Sequence, residues 1–228
     1  MKPVALVTGG TRGIGRGIAE NLAADHQVAV TYRSTPPDGL LEGAPGIVAI
    51  EADLAETRSA KAVVSEVMSR FGRIDVIVNN AGSLLTDGED DGQNFAVNVV
   101  APHALLDAAL PHLRRGASVI NISSVNAVLP AMGAVSYSAS KAALDTWTRG
   151  MAKTLGPKGI RVNGVAPGAI ERVESPRPPD LVKAFVEMTA LGRSGVPEDI
   201  AKVVRFLASD AAGFITGETI TVSGGYRL

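Results

Sequence analysis

Val4-Ala5-Leu6-Val7-Thr8-Gly9-Gly10-Thr11-Arg12-Gly13-Ile14-Gly15 runs from a short apolar segment into a glycine-rich turn, and a helical pattern through Ile18, Ala19 and Leu22 follows. An uninterrupted apolar run of this length is the mark of a strand buried on both faces. Glycines directly after it let the backbone come close to a phosphate. The helix that begins there offers unpaired N–H groups and the positive end of its dipole. A glycine cluster alone marks only a turn. Set between a strand and a helix, this one reads as a phosphate-binding turn.

Six further segments read as strands, at 28–32, 47–50, 74–78, 118–122, 160–165 and 219–222. Helical spacing fills the intervals between them. Val63, Val64, Val67 and Met68 mark a helix over 60–71 that Gly72 stops, and others cover 94–113, 137–155, 181–191 and 198–209, the last opening at Pro197. Strands alternating with helices imply βαβ units and a parallel sheet. The expected fold is α/β: a single doubly wound domain over 1–228, with a seven-stranded parallel sheet flanked by helices. Within 35–46 stand Pro36, Pro37, Gly39, Gly43, Pro45 and Gly46, which read as a loop or a degraded helix. The stretch 83–93 is acidic and reads as a loop. From 171 the composition turns to Pro, Arg and Glu, as in a mobile lid over a substrate site, here 171–190.

A chain of 228 residues can bury a substantial core, and 46% hydrophobic with 20% charged residues describes an ordinary globular protein. The formal net charge of −1 gives no reason to expect a nucleic-acid or anionic-membrane partner. With no cysteine, disulfides, thiol nucleophiles and cysteine-ligated metals are excluded together. His26, His103 and His112 lack metal-ligand spacing, so no metal is expected. The N-terminus carries no secretory pattern, and no stretch nears the roughly 18 apolar residues of a membrane span. A cytoplasmic location follows as the expectation.

In parallel sheets ligands collect at the carboxyl ends of the strands. There the sequence places Asn79-Asn80-Ala81-Gly82, Ser124, and Ala166-Pro167-Gly168-Ala169-Ile170. The second strand ends Tyr32-Arg33-Ser34 with no carboxylate before Asp38. An acid at this point would suit the ribose hydroxyl of NAD, whereas Arg33, with Arg12 in the turn, suits the 2′-phosphate of NADP. Tyr137 and Lys141 are four apart and share one helical face. An ammonium held near a phenol favours the phenolate, so the spacing predicts a lowered Tyr137 pKa and a usable acid or base. Ser124 adds a neutral hydroxyl able to hold a substrate oxygen. On its own such a Tyr/Lys pair is more often incidental.

Together these landmarks resemble the short-chain dehydrogenase/reductase family over essentially the whole chain, with a Rossmann domain and a general likeness to 3-oxoacyl-carrier-protein reductases. Thr8 to Gly15 resembles its T-G-x-x-x-G-x-G turn, Asn79-Asn80-Ala81-Gly82 its N-N-A-G, and Pro167-Gly168 its P-G motif. Asn98, Ser124, Tyr137 and Lys141 resemble its catalytic tetrad, with Ser124 at the family's distance before the Tyr. The resemblance implies an oxidoreductase moving a hydride between nicotinamide and a carbonyl or secondary alcohol. NADP(H) is the preferred cofactor and NAD(H) the second option. Tyr137 would exchange the proton and Ser124 orient the oxygen. Lys141 would tune Tyr137 and hold the nicotinamide ribose, and Asn98 would position a relay water. The implied cofactor residues are Gly9, Thr11, Arg12, Gly13, Ile14, Gly15, Arg33, Asp53, Leu54, Asn80, Ala81, Gly82, Pro167, Gly168 and Ile170, with Tyr137 and Lys141. Asp53 would meet the adenine ring and Ile170 would use its backbone.

Two departures stand out. The span from Gly82 to Asn98 is shorter than in typical members, and Arg172 stands where the family often has Thr. Similar proteins imply a homo-oligomer, dimer or tetramer, with the Ala-rich helix and Tyr226-Arg227-Leu228 near subunit contacts. Trp147 reads as a packing or interface residue. The rival reading is a dinucleotide-binding sensor or regulatory protein with impaired chemistry. Its mark would be a broken tetrad, whereas all four residues stand. A purely structural subunit leaves Arg33 and Ser124 unexplained, and an extended-type epimerase would need a further substrate domain.

Overall fold

Strand β1 (Val4–Val7) is buried throughout and pairs in parallel with β2 (Gln27–Tyr32) on one side and β4 (Ile74–Asn79) on the other. The computed structural model describes residues 2–37 and 46–228. Strands β3 (Ile47–Glu51), β5 (Leu113–Ile122), β6 (Arg161–Pro167) and β7 (Thr219–Val222) complete a seven-stranded sheet in the order β3-β2-β1-β4-β5-β6-β7. Every pairing is parallel.

The helices, among the described residues, are α1 (Gly13–Leu22), α2 (Thr57–Phe71), α3 (Asp91–Phe95), α4 (Ala101–Ala109), α5 (Val135–Leu155), α6 (Pro179–Glu187) and α7 (Pro197–Ala208). They cover both faces of the sheet because successive strand residues point to opposite sides. Leu6, Ile77, Val119 and Val162 face Val63, Val67, Leu105 and Leu155 of α2, α4 and α5. Their neighbours Val7, Val78, Ile120 and Val165 face Ile18 and Leu22 of α1 and Ile200, Val204 and Leu207 of α7. None of the described helices is long and apolar enough to cross a membrane.

The 94–113 helix expected from periodicity is broken up in the fold. A π-helical turn, Ala96–Val100, separates α3 from α4, and β5 begins at Leu113. Pro102 falls at the second residue of α4, where a missing N–H does no harm. The first residues of β5, through Gly116, are largely exposed, so no apolar run announces them. Helix α6 stops short of the expected Leu191 because the chain after it bonds to the C-terminal tail instead. Leu191 N donates to Gly224 O (3.0 Å) and Arg227 N to Met188 O (2.8 Å). The sheet-side polar residues form a buried chain: Asn79 Nδ2 donates to Asn121 Oδ1, and Asn121 Nδ2 to Thr148 Oγ1, each at 2.8 Å. That chain ties β4 and β5 to α5. Most of the 35–46 stretch, at 38–45, lies outside the described residues, Asp38 among them.

Between β1 and β4 the strand order reverses, and hydrogen bonds close the gap. Thr8 Oγ1 accepts from Asn80 N and Ala81 N, both at 2.9 Å, and Asn80 Nδ2 donates to Thr8 O (2.9 Å) and Gly9 O (3.1 Å). Thr8 is 2% exposed, so water does not substitute for its hydroxyl. Thr8→Val keeps the shape and strands the Ala81 amide, while Asn80 N keeps only its bond to Val78 O (3.1 Å). It is expected to destabilise the protein by about 2 kcal/mol in urea unfolding, with Thr8→Ser recovering most of the loss.

Candidate active site

At the carboxyl edge of the sheet lies a cleft of about 530 Å3. Its first wall is the turn from β1 into α1. Gly9 (φ +63°) and Gly13 (φ +54°) adopt the left-handed region that glycine tolerates best. A Cβ on Gly15 would collide with Gly9 O and Asn80 Nδ2, and one on Gly9 would lie 3.1 Å from Ala81 Cα. The turn is therefore closed down to backbone. No side chain caps α1 and no acid stands in its first turn, so its N–H groups and dipole face the cleft. Thr11 Oγ1 donates to Thr35 O (2.8 Å), fixing the turn against the segment after β2.

The strand ends contribute in spatial order. Arg33 follows β2 and, with Arg12 of the turn, lines the cleft. Asp53 and Leu54 follow β3, with Asp53 Oδ1 accepting from Ala55 N (2.9 Å). Asn80, Ala81 and Gly82 follow β4, Ser124 follows β5, and Pro167, Gly168 and Ile170 follow β6. Gly168 N donates to Val222 O (3.1 Å), and Arg177 Nη1 holds Ile170 O (2.7 Å).

Helix α5 delivers Tyr137 and Lys141 to the far end. Ser124 Oγ accepts from Asn126 N (3.1 Å) and shares a hydrogen bond with the Tyr137 hydroxyl. Lys141 Nζ donates to Ile122 O (2.8 Å) and lies 5.9 Å from the centre of the Tyr137 ring. Asn98 sits behind the lining, within the π-helical turn, and its amide is fully engaged. Oδ1 accepts from Ser83 N (2.9 Å), while Nδ2 donates to Ser83 O (2.8 Å) and Ser140 Oγ (2.9 Å). Asn94 does the same one turn earlier, holding Leu85 and donating to Ser136 Oγ (2.8 Å). The shortened 83–93 stretch is thus stapled to α5 by two asparagines facing two serines.

The comparisons with known proteins agree with this geometry. Residues 9–227 match the family model for enoyl-(acyl carrier protein) reductase. A 3-oxoacyl-[acyl-carrier-protein] reductase of Staphylococcus aureus is 37% identical, covering 100% of this chain and 99% of the relative. A short-chain dehydrogenase/reductase of Serratia marcescens is 36% identical with a TM-score of 0.92, covering 99% of this chain and 98% of that one. The chain belongs to the short-chain dehydrogenase/reductase family. A Burkholderia cenocepacia short chain dehydrogenase, solved in complex with NADP, is 34% identical with a TM-score of 0.93 at the same coverage.

The electrostatics of this family member differ from what spacing alone predicts. Burial raises the Tyr137 pKa above its ordinary value, and the Ser124 hydrogen bond and the charge of Arg172 only partly offset that. Lys141 does not outweigh that burial. Its ammonium is itself buried, and desolvation depresses it to about 8 against the pull of Asp145. Arg172 was visible in sequence as a departure from family pattern, but its neighbours were not. Its Cδ stands 3.2 Å, and Glu174 Oε1 2.9 Å, from where a Gly13 side chain would begin, so this segment closes over the phosphate-turn end. Arg177, paired with Glu171 at 3.0 Å, completes the rim. No periodic signal marks these three residues. The Asn94/Asn98 and Ser136/Ser140 pairs, by contrast, carry a signal in their matching i, i+4 spacing. His26 pairs with Asp25 (2.6 Å), and His103 stacks edge-on against Trp147, both away from the cleft.

The depressed Lys141 gives a stability prediction with a definite sign. Between pH 8 and 10.5 the unfolded chain binds a proton at Lys141 that the fold has released, so this residue adds stability as pH rises through that window. Lys141→Met removes the dependence. In paired urea titrations the native protein should gain on the variant by about 3 kcal/mol from pH 7 to pH 10.5.

Proposed function

We propose that the chain is an NADP(H)-dependent oxidoreductase that moves a hydride between nicotinamide and a carbonyl or secondary alcohol. The supporting observation is one cleft that joins an uncapped helix N-terminus at one end to Ser124, Tyr137 and Lys141 at the other. The residues fit a dinucleotide. Backbone-tight Gly9 and Gly15 leave room for a diphosphate at α1, and Asp53 and Leu54 border the place for a base. When bound, the nicotinamide supplies or accepts the hydride.

The remaining work is done by side chains. Ser124, already hydrogen-bonded to Tyr137, orients the substrate oxygen. Tyr137, whose raised pKa keeps it protonated, donates to the carbonyl oxygen in reduction and takes the hydroxyl proton in the reverse direction. The charges of Lys141 and Arg172 favour the phenolate as it forms. Asn98 acts from behind, holding Ser83 and Ser140 so that the wall beside Lys141 keeps its shape. The whole of 1–228 serves as one domain with 171–190 as its lid, a role supported by Arg172, Glu174 and Arg177 at the rim. Leu84, Leu85 and Val97 give the substrate end an apolar wall. NADP(H) is preferred over NAD(H) because Arg12 and Arg33 line the cleft, Arg33 directly after β2, and the NADP complex of the Burkholderia relative supports that preference.

A panel of carbonyls and alcohols, followed at the nicotinamide absorbance with both cofactors, tests the reading directly. Tyr137→Phe should lower turnover by about 10³-fold while NADPH still binds; retained turnover removes Tyr137 from its role. Arg33→Ala should weaken NADPH by roughly tenfold or more with NADH little changed, as expected for one charge-assisted contact to a phosphate. Equal losses for both cofactors would sink the 2′-phosphate assignment.

A further inference from the structure

Helix α5 carries a third ionisable side chain on the face that holds Tyr137 and Lys141. Asp145 lies one turn beyond Lys141 and is 8% exposed, while Lys141 is 5% exposed. Carboxylates are seldom so buried unless a charge or a hydrogen bond answers them. Asp145 Oδ1 accepts from Thr219 Oγ1 of β7 at 3.3 Å. Thr219 reaches that position over Gly164 of β6, where a Cβ would come within 2.6 Å of its hydroxyl. Two strands and a helix thus converge to hold one carboxylate that the proton transfer itself does not touch.

We propose that Asp145 is a positioning residue for the reaction, the buried counter-charge that keeps the Lys141 ammonium protonated beneath Tyr137. The inference rests on the reading of Tyr137 and Lys141 given above. Lys141 directs its hydrogen bond to Ile122 O, so the carboxylate acts on it through space, across one helical turn of low dielectric. Among the described residues Asp145 is the charge that acts on Lys141. Asp145 in turn feels Arg149 and Lys141 from its own helix, with the hydroxyls of Ser123 after β5 and Thr219 of β7 beside it. Tyr137 feels Arg172 from the segment after β6. Burial pushes both members of the pair toward neutrality, lowering Lys141 and raising Asp145, and their mutual attraction opposes that drift.

Asp145→Asn keeps an acceptor for Thr219 and deletes the charge, whereas Asp145→Glu keeps the charge. The Lys141 ammonium, assigned by its loss in Lys141→Met, is titrated by ¹⁵N NMR in the full chain without substrate. In Asp145→Asn its midpoint should move to lower pH. The alkaline limb of kcat/KM should follow, with activity at pH 9 falling about tenfold further, relative to pH 7, than in the native protein. Asp145→Glu should bring both back toward native values. A Lys141 midpoint that does not move, or a loss equal at every pH, would overturn the proposal. The titration needs no turnover, so it stays informative even if Tyr137→Phe retains activity and the enzymatic reading fails.

Discussion

After β3 the chain crosses to the other side of β1 and continues outward as β4, so the connections leaving these two neighbouring strands diverge to opposite faces. The gap that opens between them lies among the strand ends that line the cleft, and it would weaken the sheet if its polar groups were left unpaired. Thr8 and Asn80 pair them. One hydroxyl satisfies two amides of the β4 exit, and one amide satisfies two carbonyls of the β1 exit. Because these bonds also fix Gly9 against Ala81, they set how close α1 comes to the strand ends. The phosphate turn and the Asn80-Ala81-Gly82 wall are therefore one construction. Its rigidity lets the opposite end of the cleft depend on a helix, α5, anchored separately through Asn79, Asn121 and Thr148.

At that opposite end, desolvation outweighs charge. Tyr137 is pushed up and Lys141 down, both by burial, and the ammonium is turned to the Ile122 carbonyl. A cation in such a place stabilises a phenolate only while it stays a cation. The site's chemistry, as proposed, thus leans on whatever preserves the charge of Lys141 as well as on its proximity to Tyr137. Arg172 acts differently. It is exposed, so solvent screens it, and its influence on Tyr137 is a secondary one.

The sequence was legible where one pattern had one meaning. Short segments rich in Val and Ile located all seven strands, and the span 219–222 agrees with β7 to the residue. The start of β5 was not legible, because Arg114, Arg115 and Gly116 lie where the register with β4 shifts between Leu113 and Ser118, and they face solvent. Nor was the π-helical turn, since an extra backbone residue within Ala96–Val100 leaves the apolar period of 94–113 nearly unchanged. Motif spacing identified residues that the fold brings to one cleft, Asn98 excepted, whose place behind the lining depends on hydrogen bonds to Ser83 and Ser140. The direction of the Tyr137 shift could not be read from spacing at all. An i, i+4 ammonium lowers a phenol in water, and only burial, a property of the folded chain, reverses the outcome.

Those same considerations separate what the cleft does from what it acts on. The proposed reacting end is assembled from strand ends and a long helix, elements fixed by the core on both faces of the sheet. The proposed substrate wall comes from 83–85 and from the segment after β6, which beyond Ile170 the core does not fix. The first of these is short, and the fold compensates by stapling it to α5 through Asn94 and Asn98, so this wall inherits the rigidity of the helix that carries Tyr137 and Lys141. The second is held at Ile170 by Arg177 and, beyond α6, by the C-terminal tail, with Phe185 packed edge-on against Tyr226 at 5.9 Å. Between those two anchors, Val173, Glu174 and Ser175 stand exposed. One wall fixed to the catalytic helix and one wall anchored only at its ends confine adaptation to the second, so selectivity among substrates is expected to be set there, at little cost to the chemistry.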